Sequence, residues 1–230
     1  MKPVDLKPPF IDREERRAII QDRVWYVPDV NRENEDFEFP GWNHPLLFGN
    51  DNPVYVEYCS GNGAWILERA RSNPNINWVA VEIKFNRTRK IWSKIKNYKL
   101  DNLIVICGEG LYTTKRYFPN NSVAGVFVNF PDPWPKRKHA KYRLIQSDFV
   151  AEVGRITCTG GQFTLVTDDP DYSVQMIDTV SACPKFSSCF PKPYFVTDEK
   201  NYGSSWFENL WRSEGKTIRF HKFQKVEQTV

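Results

Sequence analysis

Val54-Tyr55-Val56-Glu57-Tyr58-Cys59-Ser60-Gly61-Asn62-Gly63 begins as a β-branched and aromatic run and ends in two closely spaced glycines. The run reads as a strand, the glycines as a tight turn, and Ala64 to Arg71 as an apolar helix that Asn73-Pro74 stops. The same grammar recurs downstream. Asn77 to Ile83 reads as a second strand, and Lys84 to Lys99 as a helix bearing seven Lys or Arg and no acid. Leu103 to Cys107 is a third strand ahead of Gly108-Glu109-Gly110, and Val123 to Asn129 a fourth, with Arg143 to Ile156 helical after it. Gly160-Gly161 predicts a turn before a fifth strand, Gln162 to Thr167, and Pro170 suits the first turn of the next helix. Beyond Pro184, the stretches around Phe195 and from Thr217 to Phe223 read as closing strands with no helix between them. Strand and helix alternating in this way predict an α/β fold. The expected sheet is seven-stranded and mostly parallel, with helices on both faces, an antiparallel edge hairpin, and ligands at the carboxyl ends of the strands.

At 230 residues the chain suits one domain, here 50–230, preceded by an extension over 1–49. Within the extension, Lys2 to Phe10 carries three prolines and reads as a flexible arm, Arg13 to Arg23 as a short helix, and Glu33 to Glu38 as a solvated acidic stretch. A hydrophobic content of 40% excludes disorder for most of the chain. Net charge is only +4, so a polyanionic partner must be sought in local charge rather than in the total. Five cysteines, an odd number without paired short spacing, argue against a disulfide framework and a zinc site, and fit reduced thiols in the cytoplasm. No apolar run reaches membrane-spanning length, and Met-Lys-Pro-Val is no signal peptide.

Glu57, Gly61 and Gly63 fall at the first strand-to-helix turn, where glycine permits positive φ and close approach to a ligand. Glu82, nineteen residues past Gly63 at the end of the second strand, stands where a carboxylate takes both hydroxyls of a ribose. Glu109, ending the third strand, is placed to accept from an exocyclic amine of adenine. A dinucleotide fingerprint would need glycine where Ile66 stands. A carboxylate just before the glycines repels phosphate but attracts an ammonium, which favours S-adenosylmethionine over a nicotinamide dinucleotide. Each acid, taken singly, is equally a strand-end carboxylate facing water.

After the fourth strand comes Asn129-Phe130-Pro131-Asp132-Pro133-Trp134-Pro135-Lys136-Arg137-Lys138-His139. Three prolines forbid a continued strand or an immediate helix. The stiffened segment carries one carboxylate, Asp132, two aromatic rings, and a cationic block running on through Lys141 and Arg143. A rigid acid beside rings suits a flat hydrogen-bond-donating heterocycle, and the cations suit a phosphate backbone. The alternative is a proline-rich turn followed by a solvated charge run.

This motif resembles that of the bacterial tRNA (guanine-N7)-methyltransferases, and the likeness runs from about residue 53 to the C-terminus. The resemblance implies a Rossmann-like class I methyltransferase fold, S-adenosylmethionine as cofactor with S-adenosylhomocysteine as product, no metal, and tRNA as partner, methylated at guanine 46 of the variable loop. By it, Glu57, Gly61, Gly63, Glu82, Glu109 and Asp132 contact the cofactor. Asp132 is also the catalytic residue, and Lys136, Asp168 and Ser205-Trp206-Phe207-Glu208 meet the substrate. Cys59 departs from a glycine usual in the cofactor loop, Glu109 from an aspartate, and Ser205 from a threonine. Taken without the resemblance, Asp168 reads as an N-cap, and Trp206 and Phe207 as packing. An exocyclic-amine methyltransferase acting on RNA or DNA and a catalytically silent RNA-binding protein of the same fold remain the rival readings, with a nicotinamide oxidoreductase the weakest. Neither a membrane partner nor a larger assembly than a monomer or homodimer is expected.

Overall fold

The structure is a computed structural model that describes residues 1–10, 12, 15–28, 37–200, 202–203 and 205–227, the side chain of Arg137 excepted. It divides into two units, Met1–Tyr117 and Phe118–Val230.

The first unit holds β1 (Ile19–Gln21), β2 (Val24–Tyr26), β3 (Val54–Tyr58), α1 (Ala64–Ser72), β4 (Asn77–Glu82), α2 (Phe85–Tyr98), β5 (Leu103–Cys107) and α3 (Gly110–Tyr117). Its strands lie in the order β1-β2-β5-β4-β3. The pairs β3–β4, β4–β5 and β2–β5 are parallel, and β1–β2 is antiparallel. Every residue of β4 is buried, as expected of a parallel strand covered on both faces.

The N-terminal segment departs from expectation. Where a helix was predicted from Arg13 to Arg23, Ile19–Gln21 and Val24–Tyr26 form a two-residue hairpin, with Gln21 opposite Val24. Asp22 and Arg23 both take positive φ, 49° and 69°, the geometry that lets a two-residue loop follow the twist of its strands. Asp-Arg lacks the glycine that usually announces such a turn. Trp25 is fully buried, stacked on Phe39 at 5.4 Å, with Phe37 at 5.6 Å and Tyr117 at 5.4 Å. Burial of an indole on this scale is worth about 3–5 kcal/mol against truncation to alanine. The expected extension before residue 50 therefore contributes two strands and buried side chains. Of the acidic stretch expected from Glu33, residues 33–36 lie outside those described.

The second unit holds β6 (Val123–Asn129), α4 (Ser147–Ile156), β7 (Thr157–Thr167), α5 (Pro170–Ser181), β8 (Phe186–Ser188), α6 (Trp206–Ser213) and β9 (Arg219–Lys225), with strand order β6-β7-β9-β8. β6 and β7 are parallel, and β9 runs antiparallel to both β7 and β8. Gly160 and Gly161 do not turn the chain ahead of a strand. They lie inside β7, where the register against β6 shifts between Val123 and Gly125. A Cβ on Gly161 would stand 2.8 Å from the carbonyl of Ala124, so glycine here marks a bulge. The expected strand around Phe195 is a single bridge, Val196 to Phe220, and the edge strand is β8 instead. The predicted helix from Arg143 is preceded by a 3₁₀ segment, Arg137–Tyr142, and begins only at Ser147. Among the described residues, no helix is long and apolar enough to cross a membrane.

Candidate cofactor loop and substrate turn

The loop after β3 is built on left-handed backbone. Cys59, Gly61 and Gly63 have φ of 59°, 58° and 72°. Cys59, exposed, carries a side chain in this region, a conformation that costs an L-residue roughly 1–2 kcal/mol. At Gly63, which caps α1, a Cβ would meet Ile91 Cγ1 of α2 at 2.7 Å. At Gly61 it would meet nothing nearer than the Cys59 carbonyl at 3.9 Å. The two glycines thus serve differently: Gly63 lets two helices close, and Gly61 leaves room above the loop. Ile66, which stands in place of the third glycine of a dinucleotide fingerprint, is fully buried on α1.

Glu82 ends β4 and is 3% exposed. Its Oε2 accepts from the Gly61 amide and its Oε1 from the Lys84 amide, each at 2.9 Å, with Arg87 3.8 Å away. The expected ribose ligand is therefore also the pin that holds the glycine loop against β4. A carboxylate has about four lone-pair sites, so two amides leave it capacity for a diol. Glu109 is likewise engaged: Oε1 accepts from the Leu111 amide at 3.0 Å and Oε2 from Tyr112 at 2.6 Å, capping α3. These amides are the orphan donors of a helix start, and a carboxylate there also complements the helix dipole. Glu57 is a buried carboxylate, 2% exposed, at the end of β3, and its carbonyl accepts from Ser60 Oγ at 2.8 Å. Lys94 Nζ donates to the Asn62 carbonyl at 2.9 Å. Burial and the neighbouring Lys90 hold its pKa below the ordinary lysine value. Open loop backbone over Gly61, flanked by buried acids, fits a small cationic, hydroxyl-bearing ligand better than a pyrophosphate.

In the second unit the turn after β6 holds more strain than its prolines alone suggest. Phe130 and Trp134 both have positive φ, 49° and 41°, which for bulky residues is a genuine outlier. Asp132 lies between them, exposed, with Oδ1 accepting from the Trp134 amide at 3.1 Å. Three contacts hold the turn. The Phe130 amide donates to the Val166 carbonyl at 2.9 Å, Tyr202 OH donates to Asn129 Oδ1 at 2.6 Å, and Arg143 Nε donates to the Pro133 carbonyl at 2.7 Å. Tyr202 is 73 residues from its partner, and nothing local marks it. Arg143, expected among the phosphate-gripping cations, faces inward instead. It also donates to Gln175 Oε1 at 2.5 Å and stands 4.8 Å over the Tyr172 ring. Lys136, Lys138 and Lys141 remain exposed, and Trp134, His139 and Tyr142 group their rings within 5.4–5.9 Å.

Asp168 is not the cap of α5. Asp169 is, accepting from the Tyr172 amide at 2.7 Å, while Asp168 pairs with Lys216 at 2.8 Å. Ser205 caps α6, its Oγ accepting from the Glu208 amide at 3.0 Å. Glu208 pairs with Arg212 one turn on, at 3.0 Å. Trp206 is 61% exposed, whereas Phe207 lies 6.3 Å from Phe130 and stacks on Trp211 at 6.2 Å. The start of α6 is thus brought against the Asp132 turn through Phe207 and Phe130. Among the described residues, no three His, Cys, Asp or Glu side chains group as a metal ion would require.

A family model described as "Putative methyltransferase" matches residues 51–220. The tRNA (guanine-N(7)-)-methyltransferase of Chlamydia abortus is 44% identical over 98% of either chain, and that of Chlamydia muridarum 46% over 98% of either. The enzyme of the same name from Rubrobacter xylanophilus is 30% identical over 84% of this chain and 85% of its own. Among solved structures, the 16S rRNA methyltransferase KamB aligns with a TM-score of 0.58 at 15% identity, over 78% of this chain and 91% of that one. TrmN from Thermus thermophilus aligns at 0.56 and 16%, over 76% and 44%. At such identities the structural likeness speaks for the fold alone, an α/β methyltransferase fold. The sequence matches go further in both length and identity: the chain belongs to the tRNA (guanine-N(7)-)-methyltransferase family.

Proposed function

We propose that this protein transfers a methyl group from S-adenosylmethionine to N7 of a guanine in tRNA, with Asp132 as the acid that holds the base. When bound, the cofactor supplies a methyl on a sulfonium sulfur: the N7 lone pair forms the new C–N bond as the C–S bond breaks, its electrons staying on sulfur and the positive charge passing to the guanine. N7 already presents its lone pair, so no strong base is needed to create the nucleophile. Alignment carries the acceleration, and good alignment contributes roughly 7–11 kcal/mol. The observation that carries this reading is the strained turn, with an exposed Asp132 between two left-handed aromatic residues. Strain of about 1–3 kcal/mol per residue persists where the surroundings over-determine it, as at functional sites. Asp132 accepts from guanine N1 or N2, or offsets the charge that appears on the ring. Glu57, Gly61, Gly63, Glu82 and Glu109 hold the cofactor, and Lys136, with the exposed Lys138 and Lys141, grips phosphates. Asp168 and the Ser205–Glu208 turn meet the substrate, and by the family resemblance the guanine is that of the variable loop.

The test is incubation with radiolabelled S-adenosylmethionine and unmodified tRNA, followed by nucleoside analysis. Label in 7-methylguanosine is expected, and label in N6-methyladenosine would transfer the reading to the exocyclic-amine class. Asp132→Ala should bind S-adenosylhomocysteine as the parent does while losing methyl transfer. Near-normal turnover in that variant would remove Asp132 from the mechanism.

A further inference from the structure

A cavity of about 310 Å³ lies wholly within the first unit, at the carboxyl ends of β2, β4 and β5. That volume is at the lower end of small-ligand sites. One side is made by Glu109, assigned to the cofactor above, by its neighbour Gly108, and by Ile83, next to Glu82 and 62% exposed. The other side comes from the segment ahead of residue 50, through Phe10, Arg16 and Tyr26. Three rings frame the space, with Phe10 edge-on to Tyr26 at 6.0 Å and Phe85 tilted to it at 6.3 Å.

Two observations make this more than a crevice. Tyr26 is 6% exposed, and its hydroxyl is buried with no hydrogen-bond partner among the described residues. A buried hydroxyl left unmatched costs about 1–3 kcal/mol, and such groups call for an explanation. Burial raises the pKa of this phenol, so it stays protonated and retains a proton to donate. The second observation is Gly108. A Cβ there would stand 2.8 Å from Val27 Cβ and 3.1 Å from the Val27 carbonyl, while the Val27 amide donates to the Cys107 carbonyl at 2.9 Å. The N-terminal strand is thus fitted against the loop that carries Glu109, with no space for a side chain between them.

We propose that the N-terminal segment completes the base-binding end of the cofactor site, and that the Tyr26 hydroxyl donates to a ring nitrogen of the adenine while Phe10 and Phe85 flank the heterocycle. This rests on the S-adenosylmethionine reading above and adds residues that lie ahead of the matched methyltransferase region, which starts at residue 51. Flat apolar walls with one donor from Tyr26 and one acceptor from Glu109 match a purine that offers both an unprotonated ring nitrogen and an exocyclic amine. The hydroxyl is covered in this structure, so binding requires the wall beside Tyr26 to give way.

The test is calorimetric titration of the full chain with S-adenosylhomocysteine and with adenosine, together with thermal unfolding without ligand. Tyr26→Phe should weaken both ligands about tenfold, the effect of one hydrogen bond in a dry site. The same variant, freed of an unmatched hydroxyl, should unfold about 2–4 °C higher when unliganded. Phe10→Ala should weaken both ligands as well. Unchanged affinities in both variants, with the parent chain binding normally, would overturn the proposal and leave the cofactor reading standing. A lower unfolding temperature for unliganded Tyr26→Phe would also overturn it, since the hydroxyl would then have a structural partner. Failure of the parent chain to bind S-adenosylhomocysteine at all would overturn the cofactor reading and this one with it.

Discussion

Replacing Gly63 with alanine puts a methyl group where the structure has no room for one. At φ of 72° the added Cβ stands 2.7 Å from Ile91 Cγ1 and 3.4 Å from both Ile91 Cδ1 and Leu67 Cδ1. Left-handed backbone costs alanine roughly 1–2 kcal/mol, and overpacking a core typically about 1–3 kcal/mol more. Against these, alanine restricts the unfolded chain and returns about 0.4–1 kcal/mol. The net loss is about 2–3 kcal/mol, a large share of the roughly 5–15 kcal/mol by which domains are stable. Urea unfolding followed by tryptophan fluorescence reads this directly, because Trp65 on α1 is 3% exposed. With an m-value of about 2–3 kcal/mol per molar, the midpoint should fall by about 1 M. Gly61→Ala supplies the control, since its φ is 58° but the Cβ space is empty. It should lose only the backbone share, about 1 kcal/mol, yet lower S-adenosylhomocysteine affinity by intruding above the loop. Adding Ile91→Ala to Gly63→Ala should recover part of the loss relative to the sum of the single changes. Equal losses at the two glycines, or no coupling to Ile91, would refute the packing argument.

Cys59→Gly should act in the opposite direction. It relieves a left-handed side chain at φ of 59° and, after the entropic cost of glycine, should raise stability by about 0.5–1 kcal/mol in the same urea assay. His221 provides a pH signature. Fully buried, it fits the neutral tautomer that donates from Nδ1 to the Tyr194 carbonyl at 3.2 Å and accepts at Nε2 from Ser173 Oγ at 3.1 Å. Burial pushes its pKa from 6.5 down to about 4. Between those values the unfolded chain binds the extra proton, so its contribution of roughly 3 kcal/mol is present above pH 6.5 and is lost as pH falls toward 4. Unfolding measured at stepped pH should show this loss, and His221→Asn should flatten it. Lys136→Ala should reduce the salt dependence of tRNA binding by about one unit of slope at little cost in stability. Arg143→Ala should do the reverse, lowering stability through the loss of its Pro133 and Gln175 contacts while leaving the salt slope unchanged.

Several elements were legible residue by residue. β3, β5 and β6 begin and end where their β-branched and aromatic runs do, because a strand covered on both faces is mostly apolar. α1 and α5 follow their apolar spacing and the Gly or Pro at their starts within a residue or two, and α2 fills the basic stretch between its two strands. The glycine loop and the proline-braced acid were visible for the same reason, since both restrict backbone rather than choose a partner. The N-terminal hairpin was hidden by Asp22-Arg23, whose left-handed turn is imposed by the strands it joins. α6 falls between the two stretches expected to close the sheet with no helix between them; Trp206 and Phe207 read as packing or as a substrate motif, although Ser205 ahead of Glu208 held a capping signal.

What the sequence determined by itself is the list of chemistry: the acids at strand ends, the glycines between them, the cationic block, and the motif from Asn129 to Lys136. What only the tertiary structure decided is the role that each group takes. Glu82 is engaged by the Gly61 amide of the neighbouring loop and by the Lys84 amide, and Glu109 by the amides that start α3. Arg143 is a strut rather than a phosphate ligand, and Asp169 rather than Asp168 caps its helix. The physical reason is that a charged side chain satisfies whichever donor or acceptor the fold brings within about 3 Å, and composition records the charge but not that neighbour.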